Sequence, residues 1–131
     1  IQREVARIAD SDDFFDRAEG MGQELNDARL ETHQVRSLEN LACATTMVTD
    51  IYDFVKRQVG RKKWRLEPGT RLLDALQGLR DHARRIAESV RAQCPEAVDA
   101  DTARQIHLAL CREFLKHVVA HYLYLEREAR P

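Results

Sequence analysis

The stretch from Leu30 to Trp64 constrains the possible fold more than any other part of the sequence. Its apolar residues recur at steps of three, four and seven, the spacing that places side chains on one face of an α-helix. Thr32 stands where an N-cap would stand, and Gly60 follows the stripe as a left-handed C′ residue would. The sequence therefore predicts one continuous helix over residues 33–59, with an apolar face that other helices must cover. The stripe consists of Val35, Leu38, Leu41, Val48, Ile51, Val55 and Val59.

The rest of the chain also has the period of amphipathic helices. Ser11 is a predicted N-cap, and Asp99 or Asp101 is predicted to cap the last helix. Pro68 and Gly69 form a turn signal before another apolar stripe. The last segment has the broadest apolar face, which predicts that it is the central helix. These signals predict further helices at residues 12–28 and 70–92, and a last helix that begins after Asp99 or Asp101 and ends at about residue 128.

No segment of useful length alternates with period two, and no Rossmann glycine pattern or P-loop is present. The predicted fold class is therefore all-α, a compact bundle of four to five helices in a single domain over residues 1–131, with residues 1–10 as a flexible or docking segment. The absence of a signal segment and of a membrane-length apolar run predicts a cytoplasmic protein without membrane association. Cys43, Cys94 and Cys111 form no CxxC pair, which argues against disulfides and zinc knuckles.

The charge is unevenly distributed along a chain whose formal net charge is only −1. Residues 1–31 carry four basic and nine acidic side chains, whereas residues 56–85 carry ten basic and three acidic ones. Such a basic segment in an otherwise acidic chain is typical of a polyanion-binding surface. It is equally compatible with a solvated arginine-rich face that carboxylates of a neighbouring element compensate. Trp64, between Lys63 and Arg65, either stacks on a base or, as is more common for a lone tryptophan, packs at the end of the bundle.

Two arrangements near the end of the chain are candidates for chemistry. Glu113, His117 and His121 are spaced by four residues and share a helical face, but the zincin and di-iron patterns are absent. We therefore predict no metal and no other cofactor. Arg112 and His117 form an R-x4-H pattern similar to that of the HEPN ribonucleases, small all-α domains in which an Arg and a His from two protomers assist attack by the 2′-hydroxyl. Glu113 follows the Arg where that family usually has Asn, Asp or His. A HEPN-like ribonuclease is thus the enzymatic alternative.

Three motifs occur in order over residues 30–125. The first is the run from Thr32 to Arg36, the second is a helix that leads from Phe54 to Gly60 and Arg61, and the third is the aromatic and Ala/Val-rich run at residues 111–125. Together they resemble the small helical, Csm-type subunit of type III CRISPR effector complexes. The chain departs from that family in the short spacing between the first two motifs and in a lysine, at position 116, where the family has an acidic residue.

The resemblance implies a non-catalytic subunit that stacks on copies of itself along guide and target RNA, while other subunits of the complex hold the active sites. Such a subunit needs Arg and Lys on one ridge to neutralise phosphates. The alternatives are the HEPN-like ribonuclease and a helical protein-interaction module without nucleic acid. Phosphate contacts are predicted first at Arg36, Arg57, Arg61, Lys62 and Lys63, and then at Arg65, Arg84 and Arg85.

Overall fold

Amphipathic segments and their end signals produce six α-helices in the computed structural model, which describes residues 1–129. A short 3-10 helix, Pro95–Ala97, joins the last two, and no strand occurs within the described residues. The predicted all-α class is confirmed, although the helix count exceeds the predicted four to five. The helices are α1 (Gln2–Ala9), α2 (Asp12–Asp27), α3 (Thr32–Ala44), α4 (Val48–Gly60), α5 (Leu66–Gln93) and α6 (Thr102–Ala129).

The last helix, α6, is central, as its broad apolar face predicts, because it packs against each of the other five α-helices. It runs parallel to α2. Phe14 meets Phe114 edge to face near one end of this pair, with the ring centroids 5.6 Å apart. Near the other end the Asn26 amide donates to the Glu126 carboxylate over 2.9 Å. The fully buried side chains of α6 include Ile106, Leu110, Leu115, Val118 and Tyr122.

The close packing of α2 on α6 depends on Gly22. A Cβ at this position would lie 2.7 Å from the Val118 carbonyl oxygen and 3.1 Å from the His121 Cβ. No flexible side-chain end could move to make room, since one of these neighbours is backbone. Gly20 and Gly78, in contrast, have no other atom within 4 Å of the position that a Cβ would take. Of these three helical glycines, only Gly22 is therefore required for packing.

The prediction of one continuous helix over residues 33–59 is wrong, because the chain leaves the helical conformation between α3 and α4. Thr45 is extended, with φ −80° and ψ 154°. Its hydroxyl accepts a hydrogen bond from the Met47 N–H over 3.0 Å and donates to the Asp50 carboxylate over 2.6 Å. The two helices fold back on each other as a hairpin, and each keeps part of the apolar stripe. The start of α3 and the end of α4 therefore lie at the same end of the bundle.

The end of α4 also differs from the prediction, because Gly60 is still helical and no glycine has a positive φ in residues 1–129. The left-handed residue is Lys62, with φ 61°. Its N–H bonds to the Val59 carbonyl over 3.0 Å, and the Lys63 N–H bonds to the Gln58 carbonyl over 2.9 Å. This is the hydrogen-bond pattern of a Schellman motif with lysine in the position where glycine is preferred.

Two further helix starts are shifted from the predicted positions. Pro68 and Gly69 lie within the first turn of α5 instead of forming a turn before it. Proline is tolerated there because the first N–H groups of a helix have no partner within the helix. α3 begins at Thr32 itself, so that Glu31 is its N-cap residue. Ser11 caps α2 as predicted, and its hydroxyl accepts from the Phe14 N–H over 3.3 Å.

A buried polar contact joins α4, α5 and α6 at the Leu76 carbonyl. His107 Nε2 lies 2.8 Å from this oxygen and 3.4 Å from the Tyr52 hydroxyl. The Cys111 thiol approaches the same carbonyl to 3.7 Å. Burial lowers the pKa of His107 and raises the pKa of Tyr52 and of Cys111 to about 12 each. The whole group is therefore uncharged at neutral pH.

Gly22→Ala should lower the free energy of unfolding by about 1–3 kcal/mol, because the added methyl group pushes α2 away from α6. Gly20→Ala and Gly78→Ala are the matched controls, since both positions are helical and open. Each control should raise the free energy of unfolding by up to about 1 kcal/mol through helix propensity. Urea denaturation of the three variants measures the difference. Similar effects at residues 20 and 22 would contradict the close contact.

His107→Gln should reduce the pH dependence of stability. In the unfolded state the pKa of His107 is near 6.5, and burial lowers it in the folded state. Below about pH 6.5 the unfolded state therefore binds more protons than the folded state. The contribution of neutral His107 is thus complete above about pH 6.5 and is lost below it. Gln keeps a side-chain donor but does not titrate.

Urea denaturation at a neutral and a mildly acidic pH measures this effect as the loss of unfolding free energy between the two conditions. The loss should be smaller in His107→Gln than in the parent. The exposed His33→Gln serves as the control and should keep the parental loss. A residual loss from His82, whose pKa burial also lowers, should remain in both variants. An unchanged loss in His107→Gln would contradict this role.

Candidate nucleic-acid interface

Six of the eight predicted phosphate-binding residues lie at the end of the bundle where α3 begins and α4 ends. Arg57 is in the last turn of α4, and Arg65 is the N-cap residue of α5. Arg36 lies in the first turns of α3, two residues after Gln34, which contacts the α4–α5 loop through Trp64. We call this set the basic end, and it comprises Arg36, Arg57, Arg61, Lys62, Lys63 and Arg65.

Trp64 anchors the loop that carries most of these cations. Only 2% of its surface is exposed, and its indole N–H donates to the Gln34 side-chain oxygen over 3.1 Å. Its ring meets Phe54 edge to face at 6.1 Å. The packing interpretation of Trp64 is therefore confirmed, and no face of the indole is available for stacking on a base. The loop holds its aromatic residue inside the bundle and its charged neighbours outside.

The cations of the basic end are exposed and form no ion pairs within the described residues. None of the six forms an ion pair with a carboxylate of residues 1–129. Other basic residues do have such partners: Arg71 lies 3.2 Å from Glu24, and Lys116 lies 3.6 Å from Glu113. Compensation by a neighbouring element is thus not found at the basic end within the described part of the chain.

A shallow groove of about 510 Å³ runs along the end of α4. Arg57 and Arg61 both line it, as their spacing of four residues predicts. Lys56 lines it as well and was not among the predicted contacts, although it is exposed and begins the same basic segment. Asp53 lines this groove together with the three cations. Two guanidinium groups and an ammonium group on one concave surface are suited to a phosphate group.

Arg84 and Arg85 are exposed but do not belong to the basic end. Arg84 lies 19 residues after Arg65 on the same helix, and Arg85 follows it. At 1.5 Å per residue, the separation between Arg65 and Arg84 is about 29 Å. One nitrogen of the Arg85 guanidinium lies 3.1 Å from His82 Nδ1. The eight predicted residues therefore occupy two surfaces, and only a ligand that spans about 29 Å could contact both.

Arg112 and His117 point to different sides of α6. The Arg112 guanidinium donates to the Ala42 carbonyl over 2.8 Å and to the Thr45 carbonyl. It thereby caps the last turn of α3 and stabilises the break between α3 and α4. His117 instead packs edge to face against Phe15 of α2, with centroids 5.2 Å apart. The arginine that an R-x4-H nuclease would use is bound to the backbone.

The residues spaced by four on α6 have separate partners. Glu113 pairs with Lys116, and His121 Nδ1 lies 3.3 Å from the Glu19 carboxylate of α2. Within residues 1–129 no group of three or more His, Cys, Asp or Glu side chains is arranged to hold a metal ion. His121 therefore joins α2 to α6 and does not complete a ligand set in this part of the chain.

Comparisons with protein-family models, with curated proteins and with solved structures gave no match for this chain. None of the helices in residues 1–129 combines the length and the apolar character needed to cross a bilayer. The function of the basic end must therefore be inferred from charge, burial and contacts.

Arg112→Ala should lower the free energy of unfolding by about 2–3 kcal/mol, because two carbonyl groups at the end of α3 lose charge-assisted hydrogen bonds. Arg104→Ala is the matched control on the same helix. Its exposed ion pair with Asp101 contributes about 0–1 kcal/mol. Urea denaturation compares the two variants. A loss for Arg112→Ala as small as that of the control would contradict the capping role.

Proposed function

We propose that this chain is a non-catalytic, RNA-associated small subunit of a CRISPR effector complex. In this proposal the basic end contacts the backbone of guide or target RNA, and other surfaces stack on neighbouring subunits, including copies of the same chain. The observation that supports it best is the set of six exposed cations that have no carboxylate partner in residues 1–129.

The chemistry of the basic end favours the RNA backbone over the bases. Sequence readout of single-stranded RNA requires exposed aromatic faces or donor and acceptor groups that reach base edges. The indole of Trp64 is buried, and its two neighbours in sequence, Lys63 and Arg65, are exposed cations. Arg and Lys neutralise phosphates and release counterions whatever the sequence. The proposed subunit therefore follows the path of the RNA without reading it.

The hairpin of α3 and α4 brings together two of the motifs on which this proposal partly rests. The run from Thr32 to Arg36 begins α3, and the pair Gly60 and Arg61 follows at the end of α4. These two motifs are far apart in the sequence, but the hairpin places them at one end of the bundle. At this end of the bundle, both motifs can present their cations around the loop that Trp64 anchors.

Protein contacts in the proposed complex would use surface of the opposite charge. Residues 1–31 carry a net charge of −5, which complements the basic segment of a neighbouring copy. Phe15 and Tyr124 are large apolar side chains that remain 42% and 59% exposed on α2 and α6. Aromatic residues are enriched at protein interfaces relative to the rest of the surface.

Charge reversal at the basic end should strongly weaken RNA binding. The experiment measures binding of a single-stranded RNA across a salt series, for the parent and for the triple variant Arg61→Glu, Lys62→Glu, Lys63→Glu. The control is Arg3→Glu, Arg91→Glu, Arg127→Glu, which has the same net charge but changes exposed residues outside the basic end. The parent and the control should bind with a steep salt dependence. Removing three phosphate contacts should reduce the slope of log K against log salt by about 2.

The RNA is examined on a gel after each titration, and each outcome bears on one alternative. Equal loss of binding in both triple variants would contradict a specific role for the basic end. Cleaved RNA, with cleavage abolished by His117→Ala, would indicate the HEPN-like ribonuclease. If neither the purified chain nor the complex that co-purifies with it binds RNA, the chain is a protein-interaction module.

A further inference from the structure

A groove separates α2 from α5 on the surface of α6. Both helices pack closely on α6 but meet each other at few positions, which leaves a cavity of about 380 Å³ between them. This volume lies within the range of sites that bind small molecules. Its floor is apolar and includes two aromatic rings. The floor is formed by Ile8, Phe14, Met21, Ala75, Leu79 and Phe114.

Two glycines keep the groove open. Gly20 lies on its α2 wall and Gly78 on its α5 wall. Neither would bring a Cβ within 4 Å of any other atom, so packing of the bundle does not require a glycine at either position. Glycine in a helix interior costs up to about 1 kcal/mol relative to alanine. Side chains at these two positions would narrow the groove from both sides.

The rim of the groove has an unbalanced negative charge. Asp13 pairs with Arg17 at 3.3 Å, and one oxygen of Glu24 pairs with Arg71 at 3.2 Å. Asp74 has no such partner in residues 1–129, and the second oxygen of Glu24 is buried without a hydrogen-bond partner there. Three carboxylates thus face two guanidinium groups.

The remaining titratable group on the rim, His82, does not balance this charge. Burial and then the neighbouring Arg85 and Arg17 lower its pKa, which keeps the ring neutral at pH 7. The nearby Asp13 and Asp81 act in the opposite direction but are smaller influences. The groove therefore keeps one uncompensated negative charge at its mouth.

We propose that the groove between α2 and α5 binds a small organic cation with an apolar body, of the arylalkylammonium or alkylammonium class. The apolar body would lie on the floor between Phe14, Leu79 and Phe114. Its ammonium group would lie at the rim beside Asp74, with the partly exposed carboxylate of Glu24 on the same lining. The lining residues include none of the basic end, so this site does not depend on the proposed function.

The test uses 2-phenylethylammonium as the probe and follows the amide and methyl signals of the isotope-labelled protein by NMR. Phenylacetate, which has a similar body and the opposite charge, is the control ligand. The ammonium compound should bind with a Kd of about 1 mM or tighter, as expected for a ligand of this size. The signals that shift should be those of the groove, such as Met21 and Leu79.

Two substitutions separate the apolar and the charged parts of the site. Gly78→Leu fills the groove and should abolish binding, whereas Gly60→Leu, at another open helical glycine outside it, should leave binding unchanged. Asp74→Asn should weaken binding up to about fivefold. Equal binding of phenylacetate, binding that survives Gly78→Leu in a folded protein, or no saturable shift at about 10 mM probe would each overturn the proposal.

Discussion

The hydrogen bonds from Arg112 to the last turn of α3 determine where the basic residues of this chain lie. They satisfy two carbonyl groups that a helix end leaves without partners, and they do so next to the extended Thr45. With the break held in place, α4 returns along α3. The segment that follows α4 then reaches the beginning of α3, where Gln34 accepts the indole N–H of Trp64. A single long helix would have placed these two regions at opposite ends.

The loop after α4 shows how one short segment serves both folding and charge presentation. Trp64 takes the buried position, and its neighbours in sequence remain in solvent because the Schellman motif reverses the chain direction. Lysine at the left-handed position costs more than glycine would. Strained backbone of this kind occurs more often at functional sites than elsewhere. Lys62 thus has an unfavourable backbone conformation in this turn and also supplies part of its exposed positive charge.

Sequence patterns correctly predicted the features that depend on residues close together in the sequence, such as helix positions and local charge. The period of apolar residues located α2 and α6 to within about two residues, and the local charge identified the cations around Arg61. The break at Thr45 was missed because part of its support comes from Arg112, which lies 67 residues away. The same error hid how Arg36 comes to the basic end. Arg84 lies far from that end because α5 is one uninterrupted helix that begins beside Arg65 and leads away from it.

The basic end and the groove between α2 and α5 carry opposite charges on the same small protein. Each can nevertheless bind its ligand independently. Asp74 lies nine residues after Arg65 on α5, which corresponds to about 14 Å along the helix. The Debye length at physiological ionic strength is about 8 Å, so solvent ions screen most of the interaction between the two regions. Within the groove the distances are those of hydrogen bonds and ion pairs, and screening there is weaker. A polyanion at one end and an organic cation in the groove would therefore bind without strong coupling through charge, and any coupling between them would have to pass through the position of α5 on α6.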